Sequence, residues 1–410
     1  MLRFTRHPSF HARRAAAAAL GRWARQERLQ PEERDTTRAA LLGLLEDAWE
    51  TVRGEALVSL TALEGRAPEA LKTFSQEGIM ARRAAIRALA SLPEPKLQAD
   101  QRALIEALAR DPDHRCRVEL MGSFGVKPGE RGRDLALSGL RDPELSVAGT
   151  ALESLSKRGD LDLLPPLEAL YKRSVGRRDR YELREMICRV LAEQSSPEAK
   201  SKALGLLRRI LEGDPRTAVR RAAAEALEGI TGERPELAST PSALKTRPRQ
   251  EPVRGRSWLR FETERGPFVV ELNAELTPDH VRNIHDLLRR PSPRDGKRGF
   301  YRGLSWHRVV SHFVVQGGCP RGDGWGDPGW TLPDELTDLP FLRGALGMPK
   351  AGPDTGGCQL FFCHAPTPHL DGRYTLFGYV RSGFETVDLL EEGDLILGVS
   401  VIAKGGRHGH

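Results

Sequence analysis

Two rhythms of apolar and polar positions divide the chain. From Ala12 to Leu227 one short phrase recurs, with starts at residues 12, 52, 81, 116, 147, 183 and 219. Each phrase sets apolar or small residues at its first, fifth, sixth and ninth positions, as in Val219, Ala223, Ala224 and Leu227. That spacing lays a single stripe along a helix of 3.6 residues per turn. A second apolar helix precedes most phrases, for example over 103–109 and 202–211, and an Asp-Pro often stands between the two, as at Asp111-Pro112, Asp142-Pro143 and Asp214-Pro215. A capping aspartate with proline in the first turn starts a helix readily. A pair of helices this short cannot bury its apolar face alone, so the pattern predicts repeated pairs stacked into a right-handed superhelix.

Between Glu233 and Arg256 the helical rhythm stops and Pro235, Pro241, Pro248 and Pro252 enter, which predicts a semi-extended linker. Beyond it the pattern alternates: Trp258 and Phe261, then Phe268 to Leu272 after Gly266-Pro267, read as strands. One helix follows, with Thr277 as cap, Pro278 in its first turn and Val281, Ile284, Leu287 and Leu288 as its stripe. Short runs over 300–315, 345–348, 359–363 and 374–380, divided by glycine and proline, precede a last helix around 385–390. Many strands with two helices predict a closed β-barrel.

Composition narrows the classes. Of the 410 residues 39% are hydrophobic and 29% charged, and no window of about 18 residues is uninterruptedly apolar, which excludes a disordered tail and a membrane-spanning helix. Lys plus Arg at 63 against Asp plus Glu at 56 leaves +7, a modest excess that argues against a dedicated nucleic-acid binder. The five cysteines, Cys116, Cys188, Cys319, Cys358 and Cys363, form no C-x-x-C pair, so no disulfide framework is expected. Met1 to Leu20 carries arginines without the apolar core of a signal peptide, and a cytoplasmic location is the expectation, with an Arg-rich transit peptide as the competing reading. His307, His312, His364 and His369 with Cys319, Cys358 and Cys363 suggest zinc, but Cys358 and Cys363 differ by an odd number and point to opposite faces of a strand, so neither metal nor cofactor is expected. The arginines at the second phrase position, Arg53, Arg82, Arg117, Arg184 and Arg220, cap or pair with nearby acids, or else line a basic groove for an acidic partner.

The Asp, Val-Arg, Ala-Leu cadence resembles short bacterial HEAT-like repeats over about the first 230 residues. A second resemblance is more specific. Phe300-Tyr301-Arg302-Gly303, Trp306-His307-Arg308-Val309-Val310, Phe313-Val314-Val315-Gln316-Gly317-Gly318, the stretch from Ala351 to Phe361 and the stretch from His369 to Gly378 match, in order and spacing, the motifs of the cyclophilin family of peptidyl-prolyl cis-trans isomerases. The matched region spans about residues 257–403.

These residue types suit that chemistry. Rotation about an X-Pro bond faces a barrier of about 20 kcal/mol, set by amide resonance. In the twisted state the prolyl nitrogen becomes pyramidal and basic, so a donor aimed at it is worth more there than in the ground state. Arginine supplies permanently protonated donors in a rigid fork. An apolar cup must hold the ring, and polar groups the flanking carbonyl.

The resemblance implies that Arg308 is the catalytic guanidinium and that Gln316 bonds substrate and steadies it. It further implies that Phe313, Val314, Phe361 and Leu370 form the cup, and that the backbone near Lys350, with Ala351 and Gln359, holds the residue before proline. Strand parity puts Val314 and Gln316 on one face; Phe313 would not share it in a regular strand. Tyr374 stands where many members have histidine, His369 where cyclosporin-sensitive members have tryptophan, Val314 for methionine, Lys350 for asparagine, and Cys319 at a usually acidic position.

The resulting expectation is a HEAT-like α-solenoid over 1–232, a proline-containing linker over 233–256, a cyclophilin-like closed β-barrel with two helices over 257–403, and a flexible tail over 404–410. The partners implied are proline-containing polypeptide clients, with the solenoid offering a surface for a protein partner. The alternative is a non-catalytic proline-peptide-binding scaffold.

Overall fold

The computed structural model describes residues 1–26, 28–158, 163–175, 181–193, 197–236 and 257–402; the tail and all but the first residues of the expected linker lie outside the described residues. The chain divides into two compact units, Met1–Pro241 and Ser242–His410.

The first unit is helical. Its helices are α1 (Phe10–Arg25), α2 (Pro31–Leu44), α3 (Glu50–Glu64), α4 (Ala70–Phe74), α5 (Ile79–Ala90), α6 (Ala99–Leu108), α7 (His114–Phe124), α8 (Glu130–Gly139), α9 (Leu145–Ser156), α10 (Leu164–Ser174), α11 (Tyr181–Ala192), α12 (Pro197–Gly213) and α13 (Thr217–Thr231). Every recurring phrase falls within an odd-numbered helix. Those helices pack on one another in succession from α1 to α13, and each even-numbered helix packs on the odd one that follows it. The stripe positions are the buried ones, as with Val219, Ala223, Ala224 and Leu227.

Aspartate and arginine join successive repeats, and this corrects the capping role expected of the Asp-Pro aspartates. Asp111, Asp142 and Asp214 lie two residues ahead of the N-cap, each accepting the amide two residues on, as Asp47 does before α3. That leaves a carboxylate facing the preceding repeat. Arg13 grips Asp47 with two nitrogens at 2.6 and 2.9 Å, Arg82 grips Asp111 at 2.7 and 3.1 Å, and Arg117 grips Asp142 at 2.8 and 3.0 Å. Arg184 pairs with Asp214 at 2.9 Å. The remaining guanidinium nitrogen turns back to a carbonyl ahead of its own helix, that of Glu77 for Arg82 and of Asp111 for Arg117. Bidentate geometry of this kind fixes orientation as well as contributing energy.

The second unit is an antiparallel sheet of β1 (Ser257–Thr263), β2 (Gly266–Leu272), β3 (Trp306–Val310), β4 (Val314–Gly317), β5 (Ala345–Gly347), β6 (Leu360–Cys363), β7 (Leu376–Ser382) and β8 (Ile396–Ile402), with α14 (Pro278–Arg289) and α15 (Phe384–Leu389). The strand order is β3-β4-β6-β5-β7-β2-β1-β8. The sheet curls, and its ends meet at a single Ser305–Leu395 bridge with flanking amide bonds rather than along a ladder. One face closes over a core of Phe261, Phe268, Trp306, Phe362 and Phe377. Phe261 and Phe268 stack at 4.7 Å, and Phe362 meets them edge-on at 5.6 and 5.2 Å.

Helix α14 differs in its cap from the sequence expectation. Thr277 occupies the cap position, but its hydroxyl donates to the Asn273 carbonyl. The free amides of Asp279 and His280 are taken instead by the Glu335 carboxylate, at 3.0 and 2.9 Å. An anion at a helix N-terminus satisfies both unpaired amides and the helix dipole.

Candidate active site

Strand alternation would put Arg308 on the same face as Trp306, which is in the core. A register shift between them prevents this. Trp306 lies opposite Gly317, yet Arg308, two residues on, lies opposite the very next partner, Gln316. The extra residue, His307, is a bulge that turns Arg308 to the outer face. Gln316 in turn faces Phe361, and Phe361 faces Gly347, so Arg308, Gln316, Phe361 and Gly347 form one row across four strands.

On this outer face Val314, Phe361 and Leu370 form a second apolar cluster with Phe341, Ala345, Cys363 and Leu376, and Phe313 and Tyr374 pack at its rim. The outer edge of the Phe361 ring lies against Gly347, where an added Cβ would come within 2.2 Å of it. Phe341 stacks on Phe361 at 5.6 Å and Tyr374 meets Phe361 edge-on at 6.0 Å. The parity objection to Phe313 disappears because it precedes β4: His312 takes a left-handed φ of 59°, and the Phe313 amide closes a turn on the Val310 carbonyl. The ring so placed stacks on His369 at 5.3 Å.

The Arg308 guanidinium is exposed and lies 5.8 Å from the centre of the Phe313 ring. Among the described residues no carboxylate pairs with it. Gln316, expected to steady Arg308, donates instead to Gln359 at 3.0 Å. Gln359 passes the connection on, donating to the carbonyls of Gly324 and Gly326 at 2.7 and 3.1 Å. Beneath the row, burial pushes the His307 imidazole down to about 4. Lys350 places its ammonium 5.5 Å from the Tyr374 ring centre while paired with Asp334, so it adds no net charge to the pocket. The Ala351 amide is held by the Thr355 hydroxyl at 3.0 Å.

Ten of the eleven residues singled out from the sequence are linked by these contacts into one surface, while Ala351 is placed only by the bond of its amide to Thr355. Phe341 and Asp334 escaped sequence reasoning. Both lie in the irregular stretch between β4 and β5, where no period marks a buried or paired side chain. The arrangement offers a permanently charged fork, without a carboxylate partner among the described residues, beside an apolar cup, with amide groups arrayed along one side. Among the described residues no cluster of three or more His, Cys, Asp or Glu side chains is placed to hold a metal.

The model of the cyclophilin type peptidyl-prolyl cis-trans isomerase family matches residues 258–401. A peptidyl-prolyl cis-trans isomerase of Synechococcus elongatus is 42% identical over 144 residues, 35% of this chain and 94% of that protein. Peptidyl-prolyl cis-trans isomerase B of Bacillus subtilis is 44% identical over 133 residues, 32% of this chain and 87% of that protein. A peptidyl-prolyl cis-trans isomerase of Helicobacter pylori is 38% identical over 152 residues, 36% of this chain and 88% of that protein. With the matched region so nearly the whole of these relatives, the chain belongs to the cyclophilin-type peptidyl-prolyl cis-trans isomerases.

Proposed function

We propose that the second unit isomerises X-Pro bonds in polypeptide clients with Arg308 as the catalytic guanidinium. The observation that carries this is an exposed Arg308 with no carboxylate partner among the described residues, beside the cup of Val314, Phe361 and Leu370. With proline seated in the cup, flanked by Phe313, His369 and Tyr374, the guanidinium donates to the prolyl nitrogen as its lone pair localises. That bond strengthens toward the twisted state, which is the condition for lowering the barrier. Gln316 binds the flanking carbonyl with the N–H that it does not give to Gln359, and the backbone at Lys350 and Ala351, with Gln359 beside it, holds the preceding residue. No bond is broken and no proton is transferred.

The first unit acts, in this reading, as a HEAT-like solenoid that holds the client. The stacked odd-numbered helices and their Arg–Asp ladder support the repeat architecture. Two weak sites on one chain raise the local client concentration at Arg308 without any new contact. Because the ladder arginines are engaged by aspartates, a protein surface is the favoured partner over a polyanion. Five unpaired thiols support a reducing, cytoplasmic setting.

The test is the cis-to-trans rate of a short X-Pro peptide, and of a refolding protein limited by proline isomerisation, with the full chain. Acceleration of both, larger for the protein, is expected. Acceleration of the peptide alone would remove the client-holding role, and acceleration of neither would remove the enzyme.

A further inference from the structure

We infer that His280 is a positioning residue for the loop over 349–357, acting through Glu335. The inference rests on the reading above, in which that loop meets the residue before proline. His280 is fully buried on α14, and its Nδ1 lies 2.6 Å from Glu335 Oε2. A carboxylate that already accepts two amides can only accept a third bond, so Nδ1 carries the proton and donates. The other nitrogen, Nε2, is buried without a hydrogen-bond partner among the described residues and lies next to the loop itself, where a Cβ built on Gly356 would be 3.7 Å away. The imidazole thus stands between helix and loop.

Glu335 and its neighbour form a two-residue joint. Through its side chain Glu335 is fixed to α14; through its amide it donates to the Thr375 hydroxyl at 2.9 Å, one residue beyond Tyr374 of the cup. Asp334 holds the loop twice, pairing with Lys350 and donating its amide to Asp354 at 2.9 Å. Asn283, one turn along α14 from His280, donates to the Gly357 carbonyl at 2.7 Å. Helix, cup and loop are therefore bonded to the same short segment, and His280 locks the carboxylate from which that segment hangs. Its work is to hold the substrate-facing backbone in place before substrate arrives, so its loss weakens binding rather than the twisting step.

The experiment compares full-chain wild type with His280→Phe and His280→Asn on one X-Pro peptide, reading KM and kcat separately. Phenylalanine fills the buried slot without a donor, whereas asparagine restores an N–H near the Nδ1 position. Expected is a KM raised at least about fivefold in His280→Phe with kcat within about twofold, and both values within about twofold of wild type in His280→Asn. A His280→Phe KM equal to wild type, or an asparagine variant as impaired as phenylalanine, overturns the inference while leaving the isomerase reading intact. An inactive wild type overturns both. Should His280→Phe fail to fold, Thr375→Val, which removes the acceptor of the Glu335 amide at equal volume, must show the same KM rise; an unchanged KM there overturns the inference.

Discussion

Replacing Asp214 by alanine should be the most damaging single change in the helical unit. Its side chain is fully buried and that of Arg184 is 1% exposed. The carboxylate accepts from Arg184 Nε at 2.9 Å, from the Tyr171 hydroxyl at 3.0 Å and from the Arg216 amide at 2.9 Å. Asp214→Ala leaves a guanidinium in the interior with its main counter-charge gone, a defect of about 3–5 kcal/mol. Asp47→Ala removes a comparable grip on Arg13, but at a pair 15% and 8% exposed, where water takes over, and about 1–2 kcal/mol is expected. The double variant Arg184→Met, Asp214→Leu removes both charges. It leaves the Tyr171 hydroxyl and the Arg216 amide short of an acceptor and the Ser174 carbonyl short of the Arg184 donor, so it should lose about 1–3 kcal/mol, less than the single change. Urea unfolding followed by the far-ultraviolet helical signal separates the three variants. An Asp214→Ala loss below about 1 kcal/mol, or a double variant worse than the single, would refute the buried-pair reasoning.

Two further predictions concern the sheet. Gly347→Ala forces the Phe361 ring off its position in the cup, and isomerisation of an X-Pro peptide should fall about tenfold in kcat/KM with the fold retained by circular dichroism; an unchanged kcat/KM would mean that the ring is not part of the site. His307 is neutral in the folded chain down to about pH 4, whereas it titrates near 6.5 when unfolded. Below pH 6.5 the unfolded state therefore binds a proton that the folded state refuses, so stability is full above 6.5 and is lost as pH falls toward 4. The loss reaches about 2 kcal/mol at pH 5. His307→Leu should remove that part of the acid limb in denaturant titrations read by tryptophan fluorescence, and an identical limb in the variant would contradict the assignment.

The sequence carried some of this more clearly than the rest. The odd-numbered helices were legible because burial repeats at fixed offsets within each phrase, and the strand runs because their ends are marked by glycine and proline. The role of Asp111, Asp142 and Asp214 was not, since an aspartate before a helix looks like a cap until the arginine of the preceding repeat, about 25–30 residues earlier, is brought beside it. The outward turn of Arg308 depends on one bulged residue, which periodicity does not register. Phe313 joins the cup through a left-handed turn at His312, against the parity of a straight strand. A closed barrel was expected from many strands with two helices; the sheet curls and its edges meet at a Ser305–Leu395 bridge, because contact between the edge strands is set by register and curl, not by composition. Phe341 and the Asp334–Lys350 pair sit in irregular chain, where only the folded structure brings partners together.

The most direct test of the account is the exchange rate of an Ala-Pro peptide between its cis and trans forms, measured by NMR with the full chain and with its Arg308→Ala variant, alongside peptide affinity. Strong acceleration by wild type is expected, with a loss of about a hundredfold or more in the variant and affinity within about threefold. An Arg308→Ala variant that turns the bond over at the wild-type rate would contradict it.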